Sequence, residues 1–337
     1  MLKNAIRNFM DVDTNATATP GGKPQPEEVV TGYGLRVFYI IQLILLVVTA
    51  FLMLENGDYG WTLFLSIPFS IGMTVGVYTV LFRTRRLLKG FLFLLLSLSA
   101  VSLALLAAGL EGAICVLMAA GIIGLPALIG LAVGYLLRDF NKAYRYYSLA
   151  GILMLNSGAY VHDQNDASRV ISTAVESVEI DASKEKIWEV LTGRVTFRNN
   201  ENFFFRSGIS YPHSMEVRND NGGCFLVCET NNGLARLKIS EMDTLARMRF
   251  TMPDTVLPMR ELSFYTTVDA AHLHGYFIPS YGEFEIKPVD GNRCRLVART
   301  AYSYKITPVF YWRWWSDYLI NAMHRQVLND IRTLAEK

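Results

Sequence analysis

Four uncharged apolar runs dominate the first part of the chain: Val37 to Leu54, Trp61 to Phe82, Phe91 to Leu110 and Ala113 to Leu137. A bilayer core of about 30 Å is crossed by roughly 20 apolar residues of helix, so runs of this length predict membrane spans rather than strands or surface helices. A fifth run, Tyr146 to Val161, is shorter and carries Asn156 and Ser157. It either crosses or lies on the surface. Crossing is the favoured reading, because Arg169 is the only base close behind it.

The charges are unevenly spread. Eleven of the 32 Lys and Arg residues and eight of the 30 Asp and Glu residues fall before residue 162, so the remainder has the charge density of an ordinary soluble domain and the boundary lies near Val161. A chain that is 51% hydrophobic is not a disordered one. A net charge of +2 without a basic cluster in the second half gives no reason to expect nucleic acid.

Bases in short loops mark the cytoplasmic side. Lys3, Arg7, Lys23 and Arg36 precede the first run; Arg83, Arg85, Arg86 and Lys89 follow the second; Arg138, Lys142 and Arg145 follow the fourth. The turns at Glu55 to Gly60 and at Glu111 and Gly112 have none. This alternation predicts an inner-membrane protein with a cytoplasmic N-terminus. With a fifth crossing the C-terminal half is extracytoplasmic; without it that half is cytoplasmic. No signal peptide is evident. Residues 1–34 read as a flexible tail, within which Leu2, Ile6 and Phe9 form either a short surface-lying helix or a frayed end. In the membrane region, 35–161, the polar candidates Gln42, Pro68 and Asn156 form no ionisable pathway. Gly72 with Gly76 and Gly130 with Gly134 are GxxxG pairs, suited to a packed anchor or a homo-oligomer seam.

Beyond residue 172 the period changes to alternation. Val175 to Ile180, Cys224 to Thr230, Leu234 to Met242, Arg247 to Met252, Gly282 to Lys287 and Arg293 to Tyr304 read as strands, separated by turn signals such as Asn231 to Gly233. Ser183 is a candidate N-cap for a helix carrying Ile187, Trp188 and Leu191. Thr307 as N-cap and Pro308 in the first turn open a long amphipathic helix with Trp312, Trp315, Leu319, Met323, Val327, Ile331 and Leu334 at spacings of three or four. The expected fold is therefore a membrane all-α region followed by an α+β domain, a curved antiparallel sheet around a C-terminal helix.

The opening SVEIDASKEKIWEVL (Ser177 to Leu191) and the closing YWRWWSDYLINAMHRQVLNDIRTLAE (Tyr311 to Glu336) resemble the two ends of the START-like helix-grip superfamily, also called SRPBCC or polyketide cyclase/dehydrase. The resemblance covers residues 172–337. It implies a cavity between helix and sheet for lipids, quinones, sterols or polyketide-like molecules, and hence a membrane-tethered domain that binds or transfers a hydrophobic ligand. Phe284 and Ile286, with Cys294, Leu296, Ala298, Thr300 and Tyr302, form two inward rows, and small Ala298 and Thr300 either leave space or accommodate Trp315. The ligand-contact candidates are His274, Tyr276, Tyr281, Phe284, Thr300, Tyr302, Trp315, Leu319 and Met323.

Of these, His274, Tyr276, Tyr281 and Tyr302 could also serve as acid or base in a cyclase or dehydratase, but no nucleophile motif appears and no catalytic residue, metal or cofactor is assigned. His272 and His274 have a metal-compatible spacing without further ligands; hydrogen bonding around the cavity is the simpler role. Cys224 and Cys228 are too far apart on one strand to bridge, and free thiols are expected there and at Cys294, with a disulfide a question for an exported domain. An assembly or sensor subunit whose domain binds protein is the third functional class. The aromatic run from Phe310 to Trp315 either packs the helix start into the sheet, leaving Trp314 or Arg313 exposed, or docks at a membrane interface.

Overall fold

The computed structural model describes residues 26–81, 87–137, 142–166, 169–220, 223–252, 259–260, 265 and 275–337. Residues 1–41 and 42–337 form two compact units. In the first, the described residues belong to helix α1 (Pro26–Asn56), which starts inside the stretch read as a tail; Leu2, Ile6 and Phe9 lie outside the described residues. The second unit contains the rest of α1, a π-helical turn (Thr62–Ser66) leading into α2 (Ile67–Leu81), then α3 (Leu87–Ala108), α4 (Ala113–Leu136) and α5 (Lys142–Asn165).

Among the described residues two stretches are long and apolar enough to cross a membrane, Leu88–Ala108 and Ala113–Leu136, of 21 and 24 residues. At 1.5 Å per residue these reach about 32 and 36 Å, against about 30 Å of hydrocarbon. Fewer helices pass than the four or five spans expected, because the described apolar parts of the others, Ile40–Asn56 and Thr62–Val77, are shorter. Along α3, Leu88, Leu92, Leu95, Leu96 and Leu103 are all exposed, an apolar surface that water-soluble monomers rarely present.

Helices α2 and α4 cross through their glycines. A Cβ on Gly72 would stand 1.9 Å from the Ala127 carbonyl oxygen and one on Gly130 would stand 2.0 Å from that of Phe69; Gly76 and Gly134 are similarly pressed against Leu131 and Met73. Both GxxxG pairs are thus consumed by one crossing within the chain. A homo-oligomer seam through them, as the spacing alone had allowed, has no free glycine face left.

Asn156 ties α5 to α2, donating to Ser70 Oγ at 2.7 Å and accepting from Ser66 Oγ at 3.1 Å. Its polarity is satisfied by helix packing, a structural use for a residue first considered as part of a pathway.

An eight-stranded antiparallel sheet follows, in the order β1-β8-β7-β6-β5-β4-β3-β2. Its strands are β1 (Val170–Ile180), β2 (Val195–Thr196), β3 (Pro212–Asp220), β4 (Gly223–Thr230), β5 (Gly233–Asp243), β6 (Arg247–Thr251), β7 (Phe277–Asp290) and β8 (Arg293–Tyr304). Short helices α6 (Lys184–Thr192) and α7 (Phe203–Arg206) interrupt it, and α8 (Val309–Ala335) lies in its concave face. This is the helix-grip arrangement. Ser183 caps α6 by accepting the Lys186 N–H at 3.3 Å.

Three details depart from expectation. Strands β1 and β7 are longer than their alternation, and β2 and β3 are additional. Within β3 only Met215 is buried, with Val217 partly buried two residues on, so the apolar period that marks a half-buried strand is cut to two positions. Helix α8 begins at Val309 after Pro308, without a side-chain cap; the Thr307 N–H instead donates to the Tyr59 carbonyl at 3.1 Å.

At one end of the grip the core is closed. Val327, Leu328, Ile331 and Ala335 of α8 pack with Ile187, Trp188 and Leu191 of α6 and with Ile286 and Leu296 of the sheet. Each buried Val, Leu or Ile among them contributes roughly 1.5–3 kcal/mol. At the other end α8 meets the helical bundle. Trp312 packs on Phe64 with ring centroids 5.1 Å apart, Tyr276 on Tyr59 at 5.3 Å, and the Tyr311 hydroxyl donates to the Met118 carbonyl. The aromatic run therefore packs on bundle and α7 rather than on the sheet, with Phe310, Arg313 and Trp314 exposed.

Candidate functional site: an apolar cavity at the junction of grip and bundle

Between the closed core and the bundle lies a cavity of about 320 Å³, within the range of small-molecule sites. Its helix wall follows from the spacing of α8: Trp312, Trp315, Leu319, Met323 and Val327 recur every three or four residues and all line it. The sheet wall follows from alternation. Phe250, Phe284, Ala298 and Thr300 point inward from β6, β7 and β8, and the short side chains at 298 and 300 leave the room that Leu296 fills one pair earlier. Phe205, Ile209 and Tyr211 close the side through α7 and the turn after it. The remaining wall comes from outside the domain: Cys115 and Met118, on the first turns of α4.

Polar groups in this wall are few. Glu283 is buried, and its carboxylate accepts from Arg249 at 2.6 Å and from Arg299 at 2.7 Å; Arg299 also pairs with Glu285 at 2.6 Å. His324, 6% exposed, has Nε2 at 2.9 Å from Thr300 Oγ1, while its Nδ1 has no partner among the described residues. Burial holds the His324 imidazole down to about 4, so it is neutral at neutral pH. Burial likewise pushes the Cys228 thiol up to about 12. Thr300 and His324 form a hydroxyl–imidazole pair, yet an imidazole this weakly basic, with nothing orienting Nδ1, is poorly suited to general-base work near neutrality.

Among the nine candidate ligand contacts, Phe284, Thr300, Trp315, Leu319 and Met323 line the cavity. Three others are placed elsewhere. Tyr276 belongs to the junction, where its hydroxyl donates to the Gly57 carbonyl. Tyr281 sits under the Arg249 guanidinium, 4.8 Å from the ring centre, because the irregular register between Pro279 and Tyr281 puts it out of step with the inward row. Tyr302 is fully buried and donates to Asp317 Oδ1 at 2.7 Å. Burial and that carboxylate raise its phenol well above the ordinary range, which leaves it a structural anchor rather than an acid or base. His272 and His274 lie outside the described residues.

No group of three or more His, Cys, Asp or Glu among the described residues could hold a metal ion, and none of Cys115, Cys224, Cys228 and Cys294 is joined in a disulfide. Sequence reading missed His324, although a histidine between Ile320 and Val327 on an apolar stripe was a visible signal. It also missed Cys115 and Met118, whose part in the cavity depends on how bundle and grip meet.

No family model matches the chain, and no curated protein does. Among solved structures, it is similar to truncated norcoclaurine synthase from Thalictrum flavum, at 15% identity and TM-score 0.29, over 50% of this chain and 96% of that one. It is similar to the Zhui aromatase/cyclase from Streptomyces sp. R1128 at 12% identity and TM-score 0.25, over 50% and 94%. An uncharacterized protein from Bacillus thuringiensis matches at 9% identity and TM-score 0.31, over 49% and 100%.

Proposed function

We propose that this protein is an integral membrane protein whose helix-grip domain binds an apolar small molecule or lipid drawn from the bilayer and holds it for transfer. The observation that carries this reading is the composition of the cavity wall: Cys115 and Met118 of the apolar helix α4 complete a pocket otherwise built by the grip. A ligand leaving the hydrocarbon along α4 would reach the cavity without crossing water, which removes the largest barrier to moving an apolar molecule. In this reading α1 to α5 all cross, the N-terminus is cytoplasmic, and the grip lies on the side of the base-free turns. A cyclase or dehydratase is the less favoured reading, since His324 is held far below the range useful to an acid or base at neutral pH.

The full chain, purified in mild detergent and examined by native mass spectrometry, should retain a co-purifying apolar molecule or take one up from a lipid extract. Ala298→Phe, which fills the cavity between Phe284 and Thr300, should abolish uptake while leaving the circular dichroism spectrum unchanged. A wild-type protein that stays empty in the presence of lipid extract would sink the proposal.

A further inference from the structure

Resting on that reading, we infer that the ligand is uncharged and carries a hydroxyl or carbonyl oxygen that docks at the His324–Thr300 pair, with its apolar body lying along α8 toward the bundle. Two independent features lead there.

The first is charge. Among the described residues, the acidic and basic side chains in the cavity wall are Glu283 and Arg299, and they are spent on each other at 2.7 Å, with Arg249 and Glu285 completing the network. Among these described residues an anionic headgroup would find no free cation and a cationic one no free carboxylate. Either would be stripped of water without compensation, which ordinarily excludes charge from such a site.

The second is the unfinished hydrogen bonding of the imidazole. His324 is buried, lines the cavity, uses Nε2 on Thr300 at 2.9 Å, and leaves Nδ1 without a partner among the described residues. Buried polar atoms are nearly always paired. If the Thr300 hydroxyl donates to Nε2, Nδ1 carries the proton and takes a carbonyl or hydroxyl acceptor; in the other tautomer Nδ1 accepts from a hydroxyl. A neutral oxygen satisfies the site, and an alkyl chain does not.

Geometry sets the direction. Trp312, which meets Phe64 of the bundle, and His324 are twelve residues apart on α8, about 18 Å of helix. The polar docking point is thus at the far end from the bundle, and the ligand enters oxygen first. The indole N–H groups of Trp312 and Trp315 are also without partners among the described residues and offer donors to a second oxygen nearer the bundle.

The test uses the full-length protein in detergent and four brominated probes of equal chain length: an alkane, a primary alcohol, a methyl ketone and a carboxylate. Binding is read by quenching of tryptophan fluorescence, since Trp312 and Trp315 line the cavity. At pH 8 the alcohol and ketone should bind about tenfold more tightly than the carboxylate. His324→Leu should weaken alcohol and ketone by about threefold or more and leave the alkane unchanged.

A carboxylate that binds as well as the alcohol overturns the inference. So does an equal loss for all probes in His324→Leu, which would mark the histidine as structural. An alkane that binds with no preference for the oxygenated probes overturns it too, while leaving the cavity reading standing. Failure of every probe overturns both. If His324→Leu does not fold, the comparison of alcohol with carboxylate on the wild-type protein decides alone.

Discussion

The carboxylate of Asp163 accepts the backbone N–H of Thr62 at 2.8 Å, and its other oxygen accepts that of Trp61 at 3.0 Å. Asp163 stands in the last turn of α5 and Thr62 opens the π-helical turn before α2, so the two ends meet although a hundred residues separate them. The first N–H groups of a helix have no intrahelical partner, and a carboxylate there satisfies two of them and favours the positive end of the helix dipole. Removing it in Asp163→Ala should cost about 0.5–2 kcal/mol, seen as a lower Tm of the full chain in detergent, with Asp163→Asn losing less. An unchanged Tm in both variants would show that the contact contributes nothing.

The same contact places the end of α5 beside the base-free turn Glu55 to Gly60. Under the proposed five-span topology, a phosphatase fusion after Lys337 should be active outside the cytoplasm and a fluorescent protein fused there should stay dark. A bright cytoplasmic signal would reject the fifth crossing and turn the grip toward the cytosol.

His324 makes stability depend on pH in a predictable direction. Its folded pKa is held to about 4 by burial against about 6.5 when unfolded, so below pH 6.5 the unfolded chain binds a proton that the folded chain does not. Stability is complete above about pH 6.5 and falls as the pH drops toward 4, by roughly 3 kcal/mol at the end of that window. Thermal melts of wild type across it should slope downward, and His324→Leu should flatten the slope. Parallel curves for the two proteins would contradict this.

Glycine replacements separate the crowded crossing from open helix. Gly72→Ala and Gly130→Ala force a Cβ onto the backbone of the facing helix and should destabilise by at least about 1–3 kcal/mol. Gly124→Ala and Gly151→Ala meet nothing within 4 Å and should be neutral or raise Tm, since alanine is the better helix former by up to about 1 kcal/mol. Gel-filtration profiles and Tm of the four variants check the contrast.

Thiol chemistry offers a fifth check. With its pKa pushed up to about 12 by burial, Cys228 has almost no thiolate at pH 7. Maleimide treatment of the native protein followed by peptide mass mapping should leave Cys228 unmodified, and all four cysteines should label after denaturation. Rapid native labelling of Cys228 would mean that the cavity wall opens to water.

Much of this molecule was legible along the chain because its determinants are local. The apolar length of residues 91–137, the alternation of Arg293 to Tyr304, the cap at Ser183 and the stripe from Trp312 to Leu334 each express a period that one helix or strand imposes on its own residues. Strand β3 was not legible, since its inward row is reduced to Met215 and the partly buried Val217, too short an alternation to be read. Nor was the fate of the glycines: GxxxG spacing states that a close approach is possible and does not name the partner, which turned out to be the other pair.

The site divides in the same way. Phe284, Thr300, Trp315, Leu319 and Met323 share the cavity wall because a row and its inward face are properties of one element. Tyr276, Tyr281 and Tyr302 stand apart from that wall, because a bundle carbonyl at Gly57, a register irregularity and a neighbour 15 residues ahead at Asp317 decide where each side chain goes. By itself the sequence determined that apolar helices precede a grip with an apolar interior. Only the tertiary structure decided that Cys115 and Met118 complete the cavity and that His324 stands half-satisfied within it, since both arise where elements distant in the chain are brought into contact.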